Sequence, residues 1–130
     1  MRILIVDDAG FIRELLKTAL TAAGHEIVAE ATTGIEATAF AETFQPELVF
    51  MDLVLPTQNG LEAAENILKF ENPPRIIVMS SIEEDWLVER ARSLGCSAFL
   101  RKPFNRDTIL NSIVESFNED MEQERKKLHG

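Results

Sequence analysis

Apolar residues follow two alternating patterns along this chain: short unbroken runs, and longer stretches with helical spacing. Ile3-Leu4-Ile5-Val6 is the first run, rich in β-branched residues, and reads as a buried strand. Ile27-Val28-Ala29, Glu47-Leu48-Val49-Phe50-Met51, Arg75-Ile76-Ile77-Val78-Met79 and Ser97-Ala98-Phe99-Leu100 predict four more strands. Between the first two lies a helix over roughly residues 11 to 23, with Phe11, Leu15, Leu16 and Ala19 on one face and Gly24 as its stop. Thr32 or Thr33 can cap a second helix that turns Ile35, Ala39 and Phe40 inward, and Gln45-Pro46 breaks it. A third runs from about Asn59 to Phe70 with Leu61, Ala64, Ile67 and Leu68 as its stripe, and Asn72-Pro73-Pro74 follows it. The fourth carries Leu87, Ala91 and Leu94 and stops at Gly95. Asn105 can cap the fifth, where Ile109, Leu110, Ile113, Val114 and Phe117 repeat at helical spacing.

Five strand–helix units in alternation predict an α/β protein, a mostly parallel sheet with helices on both faces. Right-handed crossovers favour the flavodoxin-like (βα)5 doubly wound arrangement, strand order 2-1-3-4-5. The length, 130 residues, suits one domain, and the apolar fraction of 45% is that of a globular protein. No apolar run approaches the roughly 20 residues of a membrane helix, and Asp7-Asp8 comes too early for a signal peptide. The single cysteine, Cys96, fits a reducing, cytoplasmic setting and a packed small side chain. The net charge of -9 argues against nucleic-acid or anionic-membrane binding.

Polar residues collect where the strands end. The first strand runs into Asp7-Asp8, the third into Asp52, the fourth into Ser80-Ser81, and the fifth leads to Lys102. Open α/β sheets gather their ligands at these carboxyl ends. In the order 2-1-3-4-5, the first and third strands are neighbours, so Asp7, Asp8 and Asp52 share a corner. Such crowding is costly without a cation, and Mg²⁺ is the expected one, since it takes carboxylates, waters and a phosphate oxygen. A dication, the Lys102 ammonium and the Ser80 hydroxyl together suit the oxygens of a phosphoryl group. Asp52 could itself be the nucleophile. Each feature alone has a duller reading: Asp-Asp as a cap, Ser80-Ser81 as a helix start, Lys-Pro as a loop. Their conjunction outweighs these.

On Asp7-Asp8, Asp52, Pro56, Gly60, Ser80 and Lys102-Pro103-Phe104, in this order and spacing, the sequence resembles the CheY-like receiver domains of two-component response regulators. The resemblance covers residues 1 to about 118 and leaves 119–130 as a charged extension of the last helix. It implies a signalling switch rather than an enzyme acting on other molecules. Asp52 would be the phosphoacceptor, taking its phosphoryl group from the phosphohistidine of a histidine kinase. Asp8 would bind Mg²⁺ directly, Asp7 through water, and Val54 through its backbone carbonyl. Lys102 would pair with the phosphoryl group. Ser80 matches the switch hydroxyl and Phe99 the switch aromatic, and the Lys102-Pro103 bond would be cis. The face of the fourth helix, fifth strand and fifth helix would then change shape for a partner protein. Partners of three kinds fit: a flagellar motor switch, a phosphotransfer protein, or a kinase regulated in return. A role as phosphorelay intermediate or phosphate sink is the alternative to output at a motor.

Two positions depart from many relatives. Ile82, two residues past Ser80, and Val54, two past Asp52, are apolar where a polar group often helps place the hydrolytic water. Slow self-dephosphorylation, or reliance on a separate phosphatase, is the expectation. Val54 also counts against a Mg²⁺-dependent Asp phosphatase, which wants a second Asp there as general acid. Asp7-Asp8 counts against a flavin carrier, whose first loop must bind phosphate. Trp86 lies off its helix's apolar stripe and is a candidate partner contact. His25 and His129 have no ligand-like neighbours. The segment 119–130 reads as a solvated helix end, supported by the pair Glu122–Lys126, or as a docking or dimerisation segment.

Overall fold

The computed structural model describes residues 1–56, 59–81, 83 and 85–129, the last eleven of these by backbone only. Ile82, part of the loop after Pro56, and the Glu122–Lys126 and His129 side chains therefore lie outside the described residues.

Five strands and five helices alternate: β1 Arg2–Val6, α1 Gly10–Ala22, β2 Glu26–Ala31, α2 Gly34–Phe44, β3 Leu48–Asp52, α3 Gly60–Leu68, β4 Arg75–Ser80, α4 Asp85–Leu94, β5 Ala98–Arg101 and α5 Arg106–His129. The strands form one sheet in the order β2-β1-β3-β4-β5, and every pairing is parallel. Alternate side chains enter two separate cores. Val49 and Met51 pack with Ala37, Ala64, Ile67 and Ala91 from α2, α3 and α4. Leu48 and Phe50 pack with Leu16, Leu20, Ile109 and Ile113 from α1 and α5. All of β3 is therefore buried, which is why its sequence is a continuous apolar run.

Turn chemistry ends the helices where expected. Gly24 and Gly95 take φ of 93° and 105°, and the side chain of Thr33 accepts from the Glu36 amide at the start of α2. Asn105 Oδ1 accepts from the Thr108 amide at the start of α5. The bond Lys102-Pro103 is cis.

Three helix faces differ from the sequence expectation. Phe11, placed on the inner face of α1, is 78% exposed, and the buried face is Leu16, Ala19 and Leu20. In α2, Ile35 is 71% exposed and Ala39 is exposed too, while Gly34, Ala37 and Ala41 face inward. So many of its positions are apolar that periodicity could not choose a face, and the small residues win because they let α2 lie close to the sheet. In α5, Val114 and Phe117 point outward, whereas Ser112 and Ser116 are buried beside Ile109 and Ile113. The two hydroxyls donate to the carbonyls of Ile109 and Ile113, at 2.6 and 2.7 Å. A serine satisfied on its own helix can occupy a dry stripe. Phe117 is not idle: the guanidinium of Arg75 stacks on its ring, 4.2 Å from the centroid.

Candidate phosphoacceptor site

The carboxyl ends of β1 and β3 bring three acids together. Carboxylate oxygens of Asp7, Asp8 and Asp52 all lie within 4.8 Å of one another. Asp7 and Asp52 are buried, and Asp8 is exposed. The two buried acids are held alike. Asp7 Oδ1 accepts from the Ala9 amide at 2.9 Å, and Asp52 Oδ1 from the Val54 amide at 3.1 Å. Their second oxygens face Lys102, whose Nζ is 2.9 Å from Asp7 Oδ2 and 3.3 Å from Asp52 Oδ2. Asp8 has no hydrogen-bond partner among the described residues.

Burial, reinforced by the charge of Asp7, pushes the pKa of Asp52 up to about 6 against the opposing Val54 amide and Lys102. Burial also works against the Lys102 ammonium, but the hydrogen bond to Asp7 and the charges of both acids outweigh it and raise its pKa. Three carboxyl groups face one ammonium, so acids outnumber cations in the pocket by two. A hard dication fits that deficit and that all-oxygen donor set.

The loop after Asp52 is closed onto its own strand. The Gly60 amide donates to the Leu53 carbonyl at 2.8 Å, and Val54 bridges to Asn59. A Cβ on Gly60 would sit 2.1 Å from the Asp52 carbonyl oxygen, so glycine is required by close approach. Val54 is half exposed, and its amide is committed to Asp52.

Ser80 is buried at the end of β4, and its carbonyl accepts from the Lys102 amide at 2.7 Å. Lys102 thus touches β4 with its backbone and the acids with its side chain. The Leu53 amide donates to the Met79 carbonyl at 3.1 Å. Together these links close a ring around the pocket through β3, β4 and the residue after β5. Phe99, one residue before Leu100 on β5, faces the opposite side of the sheet from Leu100. It is half-buried, with the guanidinium of Arg92 from α4 4.5 Å from its ring centroid.

The family model of the response regulator receiver domain matches residues 3–114. This chain belongs to that family. Among curated receivers it is 38% identical over 112 residues to the chemotaxis protein CheY of Thermotoga maritima, covering 86% of this chain and 93% of the relative. It is 38% identical over 117 residues to CheY of Bacillus subtilis, covering 90% and 98%. Among solved receivers, the response regulator domain of Thermotoga maritima CheB superposes with a TM-score of 0.80 at 28% identity, over 92% of this chain and 95% of that one. CheY4 of Vibrio cholerae gives 0.80 at 25%, over 88% and 97%. Receiver domains bind Mg²⁺ at an acidic pocket, and this receiver has such a cluster in Asp7, Asp8 and Asp52. Among the described residues, no helix is long and apolar enough to cross a membrane.

One residue that borders this receiver's pocket carried no signal in the residue pattern. Arg13 donates through a terminal guanidinium nitrogen to the Asp7 carbonyl at 2.8 Å, and through Nε to Glu30 at 3.1 Å. Its signal was positional. An arginine in the second turn of α1 can reach back to the end of β1, and the order β2-β1 puts the end of β2, with Glu30, alongside. Trp86, by contrast, stands 66% exposed at the start of α4, as its place off the stripe predicted. Cys96 is buried, and burial pushes its thiol up to about 12, so it is an inert packed side chain.

Proposed function

We propose that the chain is a phosphorylation-operated switch in which Asp52 accepts a phosphoryl group from the phosphohistidine of a histidine kinase. The observation that carries this is the Lys102 ammonium bridging two buried acids, Asp7 and Asp52, beside a third, Asp8. Asp52 Oδ attacks phosphorus, the N–P bond breaks, and the imidazole nitrogen keeps the electron pair. The Val54 amide holds one Asp52 oxygen and so orients the other. Lys102 lies within reach of the incoming phosphoryl oxygens. Asp8, Asp7, Asp52 and the Val54 carbonyl would hold Mg²⁺. When bound, this ion offsets the pocket's negative charge and that of the phosphoryl oxygens.

Ser80 then donates to a phosphoryl oxygen, its loop moves, and Phe99 turns into the vacated space. Two arrangements of the α4–β5–α5 face follow, and a target protein reads the difference. The protein acts in the cytoplasm through such contacts, with residues 1–118 as the switching domain and 119–130 as a helical extension. The chemotaxis proteins among its relatives support output in chemotaxis.

The test is intact mass after incubation with acetyl phosphate, with and without Mg²⁺, on wild type and Asp52→Asn. One added phosphoryl group, dependent on Mg²⁺ and absent from the variant, is expected. An adduct that persists in Asp52→Asn would overturn the assignment of the acceptor.

A further inference from the structure

Arg13 lies outside the carboxylate pocket but holds the peptide that aims one of its members. The Asp7 carbonyl it binds belongs to the same planar unit as the Asp8 amide, so fixing that oxygen fixes the plane from which Asp8 departs. Asp8 needs such help. Its side chain is exposed and has no hydrogen-bond partner among the described residues, so only its backbone sets its direction. Asp7 is otherwise secured, with its amide on the Ala31 carbonyl at 3.1 Å and its carboxylate on Ala9 and Lys102.

The arginine is itself braced. Glu30 Oε1 accepts from its Nε, and Glu30 Oε2 is held by Lys17 Nζ, both at 3.1 Å. Glu30 and Glu14 together balance the charges of Arg13 and Lys17, so what Arg13 delivers to the pocket is orientation. The Cβ of any residue replacing Gly10 would meet the guanidinium at 3.7 Å, which places the group directly over the turn between β1 and α1.

We propose that Arg13 is a positioning residue for the metal site: by clamping the Asp7–Asp8 peptide, it points the Asp8 carboxylate at Mg²⁺. This rests on the metal-dependent reading given above. The alternative is that Arg13 only ties α1 to β2 through Glu30. Lys17 makes that same tie without touching Asp7, so it serves as the control.

The experiment is a Mg²⁺ titration of the full chain followed by backbone amide shifts, on wild type, Arg13→Gln, Arg13→Lys and Lys17→Gln. Partners that orient metal ligands typically change affinity 10- to 100-fold. Arg13→Gln should therefore weaken Mg²⁺ binding about tenfold. Arg13→Lys, which can keep the Asp7 contact but not the fork, should fall between it and wild type. Lys17→Gln should stay within about twofold of wild type, by the same scale. At saturating Mg²⁺, phosphorylation of Arg13→Gln by acetyl phosphate should return to nearly the wild-type rate, because orientation is recovered when the ion is forced in. If wild type binds Mg²⁺ and both Arg13 variants bind it equally well, the assignment fails and the residue is only a tie. An equal loss at saturating Mg²⁺ would also overturn it, since the defect would lie in the chemistry. A wild type that does not titrate with Mg²⁺ removes the metal reading itself, and this inference with it.

Discussion

Lys102 sits 2.9 Å from Asp7 and 3.3 Å from Asp52, one ammonium shared between two buried acids. Removing one partner of a buried ion pair leaves charge stranded, which typically costs about 3–5 kcal/mol. Here two acids would lose the same cation, but water reaches the rim. Lys102→Met should therefore destabilise the metal-free protein by about 3 kcal/mol at pH 7, measured by urea unfolding. Added Mg²⁺ should restore more stability to this variant than it gives wild type.

Asp52 makes the opposite prediction. Its pKa rises from 3.8 unfolded to about 6 folded, so the folded state holds this proton more tightly. The penalty for ionising it is absent below about pH 4 and complete above about pH 6. Asp52→Asn removes that penalty and should stabilise the metal-free protein by about 1–3 kcal/mol at pH 7.5, with the gain fading as the pH falls through this window. Mg²⁺ competes with the proton, so it should raise the wild-type Tm more at pH 8 than at pH 5. A Tm gain independent of pH would contradict the raised pKa.

Much of the molecule was legible in its order of residues, for identifiable reasons. β3 is buried on both sides, so its burial shows as an unbroken apolar run, and the acid after it marks the sheet's edge. Strand order followed because parallel crossovers have one hand. The faces of α2 and α5 were not legible. Ile35 and Val114 look like core by side-chain type, whereas Gly34, Ser112 and Ser116 are core by size and by self-satisfied hydroxyls. Arg13 escaped notice because its partner is a backbone carbonyl, which carries no residue identity. The identities at the pocket were legible, but the sharing of Lys102 between two acids shows only in the folded geometry.

Gly60 is held to its identity by distance rather than by φ. A methyl group there would meet the Asp52 carbonyl oxygen at 2.1 Å, with no flexible side chain to give way. Gly60→Ala must move the backbone of Asp52 and should cost about 3 kcal/mol, the upper end for overpacking. Acetyl phosphate labelling at a temperature where the variant is still folded should fall more than tenfold. Normal labelling would show that the loop can shift without carrying Asp52 along.

Arg92 covers the ring of Phe99 on a partly exposed face. Phe99 has no hydroxyl to anchor its ring, and the stacked cation is an anchor of a different kind. Such contacts are worth about 0.5–1 kcal/mol at exposed sites, a factor of roughly two to five in a rotamer equilibrium. Arg92→Ala should shift Phe99 toward its inward rotamer by that factor without phosphorylation, as read from its aromatic ¹³C shifts. Unchanged shifts would mean that the core, not the cation, sets the ring.

Ile82, apolar two residues past Ser80, predicts a long-lived phosphoryl group. Ile82→Gln or Ile82→Glu should alter the decay of the adduct after donor removal, followed by mass. The same half-life in all three proteins would sink the idea.

The ring of contacts that runs from Asp52 through Leu53, Met79, Ser80 and Lys102 back to Asp52 has a consequence for traffic in the reverse direction. Moving one member strains its link to the next, which couples the pocket to the ends of β4 and β5. Thermodynamic linkage then binds them reciprocally. On the proposed function, a target that binds the phosphorylated shape of the distant face more tightly must, by the same factor, shift the phosphorylation equilibrium toward the Asp52 phosphate. The listener, once seated, tilts the balance toward the message it hears.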